Sequence, residues 1–129
     1  MLEIETPFKV EILGTGSTGN AVLIDDKIMI DCGLGVNKLL PYLQNVRHLF
    51  ITHRHSDHLN ISVLKNIAKK VSDSIIRFGL HVNSDCYEMI ERKAPEIAEM
   101  IETDRLTSHS EIELKIDGVE YKIETYPLY

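Results

Sequence analysis

Cysteine is scarce: the 129 residues hold only Cys32 and Cys86, far apart and with no CxxC spacing. That excludes a disulfide framework and fits a reduced, cytoplasmic setting. Basic residues are also few, 14 against 20 acidic ones for a net charge of -6, which argues against passive binding to nucleic acid through a basic surface. No apolar run approaches the roughly 18 residues that a membrane span needs. No charged-then-apolar leader precedes "MLEIETPFKVEILG", and neither a repeat nor a low-complexity tract is visible. What remains is a chain 43% hydrophobic, long enough for one cored domain over 1–129 and too short for two of ordinary size.

A full G-x-G-x-x-G stands in "LGTGSTGN" on Gly14, Gly16 and Gly19. As a dinucleotide fingerprint it requires a helix directly after the glycines, because the helix N-terminus receives the pyrophosphate. The following residues, "AVLIDDKIMID", instead alternate about Asp25-Asp26-Lys27 and are rich in β-branched side chains, which predicts a hairpin. The glycines therefore join strand to strand.

Along the chain, Phe8 to Leu13 reads as a strand, and Ala21 to Ile24 with Ile28 to Ile30 as the hairpin. "NKLLPYLQ" reads as a short helix that Pro41 ends or bends, and "HLFIT" as a buried strand. In "NISVLKNIAKK" the residues Ile61, Leu64, Ile67 and Ala68 fall at helical spacing, with Asn60 or Ser62 placed to cap the start. "SIIRFGL" predicts another strand. "SDCYEMIERK" and "PEIAEMIE" predict helical pieces, the second opened by Pro95. "EIELKID", the turn Asp117-Gly118 and "VEYKIETYPLY" form a hairpin with period-two alternation. The chain stops at Tyr129 on an apolar strand tail, so a truncated domain is expected.

The chemistry concentrates in "FITHRHSDHLN", with His53, His55, Asp57 and His58 directly after a hydrophobic strand. Imidazole and carboxylate are the ligand types that zinc takes, and His-x-His spacing at a strand end points both rings the same way. Three of the six histidines fall in this loop, which weighs against a polar loop whose histidines merely cap neighbouring elements. His48, His81 and His109 lie outside any such context and read as structural or solvated. Cys86 sits in a helical pattern with Ile90 and reads as core, while Cys32 beside Asp31 is placed to come near a metal in this loop but is not taken as a ligand.

"THRHSDH" resembles the H-x-H-x-D-H signature of the metallo-β-lactamase superfamily, and "IMIDCG" with Asp31 and Gly33 resembles that family's earlier strand motif. "LGTGSTGNAVLI" is similar to the Gly/Ser-rich first-hairpin turn of the phosphodiesterase and nuclease branches. The resemblance implies an α/β fold, the αββα sandwich, of which this chain supplies the N-terminal half with a mixed, largely antiparallel sheet and flanking helices. It implies two zinc ions, with manganese or iron as alternatives: His53 and His55 on one, Asp57 and His58 on the other, Asp31 supporting from behind and Asp57 also orienting the nucleophile. Gly14, Gly16 and Gly19 then make a tight turn beside the metals that leaves room for a phosphate-bearing substrate, or they make a turn and nothing more. Arg54 is either solvated or faces the phosphate.

Two functions follow. One is a metal-dependent hydrolase of small-molecule or nucleic-acid phosphodiesters, its later ligands absent from these residues. The other is a non-catalytic truncated remnant that binds metal weakly or self-associates. A half-sandwich leaves an apolar sheet face uncovered, so a homo-oligomer is expected, most simply a dimer, with no membrane partner.

Overall fold

Successive strand residues point to opposite faces of a sheet, and in the central strands of this chain both sets are apolar. The computed structural model describes residues 2–4, 8–16, 19–53, 58–72, 78–107 and 109–125, with the backbone alone at 2–4 and 71–72. Strands β2 (Val10–Gly14), β3 (Ala21–Ile24), β4 (Ile28–Ile30), β5 (His48–Ile51), β6 (Gly79–Asn83) and β7 (Glu102–Leu106) form one sheet in that order. Strand β1 (Leu2–Ile4) joins β9 (Val119–Thr125) and β8 (Ser110–Ile116) in a second, antiparallel sheet. The helices are α1 (Val36–Leu43), α2 (Ile61–Ser72), α3 (Ser84–Lys93) and α4 (Glu96–Met100).

The molecule is thus α/β with a mixed main sheet. Within that sheet, parallel pairings outnumber antiparallel ones, three to two, so "largely antiparallel" does not describe it. The reason is connectivity: α1, α2 and the α3–α4 pair each carry the chain back across one face, and a crossover makes the next strand parallel.

Ala21, Leu23, Met29, Leu49, Ile51, Leu80 and Val82 form the face under the helices, where they meet Leu39, Leu64, Ile67, Ile90 and Ile97. The alternate residues Ile24, Ile28 and Phe50 pack with Ile116, Tyr121 and Ile123 of the second sheet. Two polar contacts fix that packing: the Tyr121 hydroxyl donates to Asp25 Oδ2 at 2.7 Å, and Lys27 Nζ lies 2.7 Å from Asp117 Oδ2. The face that the sequence leaves for a second copy is therefore partly covered by the chain's own β8–β9 hairpin. Its exposed large apolar side chains lie at the β2 edge, Val10 at 50% and Ile12 at 66%.

Asn60 caps α2, its Oδ1 accepting from Val63 N. Pro41 lies inside α1 and does not end it. The strand expected over "SIIRFGL" is instead Gly79–Asn83, and residues 73–77 fall outside those described. Strands β1 and β7 have no counterpart in the sequence reading; "ETDRL" is too polar to announce a strand, which suits its place at a sheet edge.

Candidate functional site

Parallel strands open their carboxyl ends toward one rim of the sheet, and α/β proteins place their sites there. Asp31 follows β4, Thr52 and His53 follow β5, and Asn83 closes β6 at this rim. Asp31 adopts a left-handed backbone, φ 65°, a conformation that aspartate tolerates better than most residues. The bend is held at both ends, since Asp31 N donates to Phe50 O at 2.7 Å and Cys32 N to His58 O at 2.9 Å.

The Asp31 carboxylate is buried, 5% exposed, and fully engaged. Its Oδ1 accepts from Thr52 N at 2.7 Å. Its Oδ2 accepts from Thr52 Oγ1 at 2.7 Å and lies 2.7 Å from His58 Nδ1. One carboxylate thus ties the entry of the 52–58 loop to its exit. Residues 54–57, with His55 and Asp57, fall outside the described residues.

The donor roles follow from chemistry. A carboxylate only accepts, so His58 donates from Nδ1 and carries its lone pair on Nε2. Thr52 Oγ1 spends its proton on Asp31 and therefore accepts from His53 Nδ1, 3.0 Å away, so His53 is held in the same tautomer. The two rings lie 4.6 Å apart between centroids. A histidine whose Nδ1–H is held by a carboxylate or hydroxyl is oriented to ligate a metal through Nε2. The described half of the predicted ligand set, His53 and His58, thus has the Nδ1–H tautomer that a histidine ligating through Nε2 uses. Thr52 is the member that sequence reasoning missed; its signal was a hydroxyl residue directly before the histidine motif.

The glycine turn packs against the same bend. Gly16 N donates to Asn20 Oδ1 at 3.0 Å and Asn20 Nδ2 to Gly16 O at 2.8 Å, so Asn20 ties off the turn. Gly33 N donates to Asn20 O at 3.0 Å. At Gly19, φ 137°, an added Cβ would stand 2.7 Å from Gly33 O. The turn thus sits against the Asp31–Gly33 segment, and at Gly19 both the backbone angle and the space call for glycine.

Cys32 is fully buried and packs in the helical-side core, and burial pushes its thiol up to about 12. Cys86 packs in the same core. His48 and His81, which sequence leaves as isolated, are partners: His48 Nδ1 lies 2.9 Å from His81 Nε2, and His81 Nδ1 lies 3.3 Å from Asp104 Oδ2. Phe50 stacks on His81 at 4.3 Å. Burial holds His48 down at about 4, with His81 adding to the shift, and burial also lowers His81. This pair is a neutral, structural contact on the sheet face opposite the helices. A further group, His109 with Glu111 and Glu124, brings ligand atoms within 4.8 Å of one another on the second sheet, but exposed acidic clusters of this kind are common without an ion. Among the described residues, no helix is long and apolar enough to cross a membrane. Neither a family model nor a curated protein matches the chain.

Proposed function

We propose that this chain is a metal-dependent hydrolase of the metallo-β-lactamase type, acting on phosphodiesters. The observation that carries the reading is the buried Asp31 carboxylate, which with Thr52 sets His53 and His58 in one tautomer at the carboxyl rim of the parallel strands. A carboxylate or hydroxyl holding Nδ1–H is the arrangement that metal-ligating histidines use. His53 and His55 would hold one ion and Asp57 and His58 the second, zinc first and manganese or iron as alternatives. Bound divalent metal supplies Lewis-acid polarisation of a phosphoryl oxygen and a lowered pKa for water.

The chain's own contribution is orientation. Asp31 keeps the His58 proton on Nδ1, Thr52 does the same for His53, and Asp57 would orient the attacking water. The Gly14–Gly19 turn packs at Gly19 on Gly33, next to the Asp31 bend, and its glycines suit the close approach of a phosphate-bearing substrate. Buried Cys32 and Cys86, both free thiols, suit a cytoplasmic location. The test is hydrolysis of bis(p-nitrophenyl) phosphate with zinc or manganese present. Turnover that disappears in His58→Ala and Asp57→Asn supports the assignment; turnover that survives both rejects it.

A further inference from the structure

Sheet edges in this protein are unequally protected. Strand β7 carries Glu102, Asp104 and Arg105 exposed, and β8 carries Glu111, Glu113 and Lys115, the charged edges that discourage pairing with another chain. Strand β2 differs. It ends the main sheet and exposes Val10 and Ile12, and among the described residues no strand covers its outer side.

The hydrogen bonding of β2 shows what that side offers. Asp25 N donates to Lys9 O at 2.9 Å, and the ladder continues with Val10 opposite Ile24, Glu11 opposite Leu23 and Ile12 opposite Val22. Lys9 and Glu11 therefore bond inward to β3, and the N–H and C=O groups of Val10 and Ile12 point outward. Their side chains share a sheet face with Val22 and Ile24, as does the partly buried Phe8.

We propose that β2 is a self-association edge, at which a second copy of this chain adds its own β2 antiparallel about a two-fold axis at Val10. Of the axes at Lys9, Val10 and Glu11, the one at Val10 opposes unlike charges. Val10 then faces Val10 of the copy and Ile12 faces Phe8, while the Lys9–Glu11 ion pair of each chain, 2.7 Å from Nζ to Oε1, meets that of the other with unlike charges opposed, in the closer, non-hydrogen-bonded pairs where side chains interact best. An axis at Glu11 sets glutamate against glutamate, and an axis at Lys9 sets lysine against lysine; both are unfavourable. The two main sheets become one continuous sheet, and the apolar row Phe8, Val10, Ile12 becomes continuous across the axis. An isologous contact of this kind closes after two copies. The bulge between Ile12 and Gly14 limits the pairing to this short segment.

The test is sedimentation velocity on the 129-residue chain across a concentration series, with circular dichroism as the control for folding. The wild type is expected to dimerise at micromolar concentration and Ile12→Lys to remain monomeric with an unchanged spectrum. Lys9→Glu and Glu11→Lys are each expected to weaken the dimer by about tenfold, since each replaces two opposite-charge pairs by like-charge ones. An equimolar mixture of these two variants restores tight pairing, because one chain is then acidic at both facing positions and the other basic at both. A wild type that stays monomeric up to its solubility limit overturns the proposal, as does a dimer indifferent to the charge reversals and their mixture.

Discussion

Asp31 Oδ2 and His58 Nδ1 lie 2.7 Å apart across 27 residues of chain, and Thr52 shares the same carboxylate. Replacing Asp31 by Asn keeps the size but turns an acceptor into a donor, so the three donors from Thr52 and His58 can no longer all be satisfied. The variant is expected to lose about 2–3 kcal/mol of stability by urea unfolding. Its zinc affinity is expected to fall about 10- to 100-fold in a chelator competition.

Thr52→Val removes the hydroxyl that donates to Asp31 and accepts from His53 while keeping the shape of the side chain. His53 then loses the partner that fixes its tautomer. Nitrogen-resolved NMR of the imidazoles is expected to show His53 exchanging between tautomers in the variant, with His58 still in its Nδ1–H form.

The glycine turn tests a different contact. Gly19→Ala places a methyl group against the Gly33 carbonyl at a backbone angle that alanine rarely adopts. A loss of about 2–3 kcal/mol is expected in urea unfolding. Gly16→Ala, with positive φ but open space around it, is expected to cost about 1 kcal/mol.

Acid sensitivity follows from the buried histidine pair. His48 titrates at 6.5 when unhindered and is held at about 4 in the fold, so the unfolded chain takes up the proton first as pH falls. The stability that the neutral pair contributes is complete above pH 6.5 and is lost progressively between 6.5 and about 4. His81, lowered in the same direction by burial, adds to the loss. Melting temperatures measured across this window are expected to fall toward acid, and less steeply in His48→Gln.

Much of this arrangement is legible in the primary structure where local pattern and tertiary context agree. The β3–β4 hairpin and α3 stand where the alternation about Asp25-Asp26 and the helical pattern of "SDCYEMIERK" put them, because both are short-range signals; the Asn83 side chain that caps α3 at Cys86 N was not read from the sequence. Strand β7 escaped because "ETDRL" gains its strand character from pairing with β6, a partner that sequence does not reveal. The His48–His81 contact escaped for the same reason: two parallel strands and the missing side chain of Gly79 bring the rings together, and an added Cβ at Gly79 would lie 2.9 Å from His48 Nδ1. In the candidate site, the histidine motif was visible as residue types at close spacing. The part played by Thr52 was not, since it depends on a carboxylate 21 residues earlier in the chain.

Zinc content after gel filtration is the most direct measurement of the central claim, that His53 and His58 are preset to hold metal. At least one ion per chain is expected in the wild type, lost in His58→Ala and retained in Glu111→Gln, which disables the surface trio with His109 and Glu124. A wild type without zinc, or one whose zinc survives His58→Ala and disappears in Glu111→Gln, would contradict it.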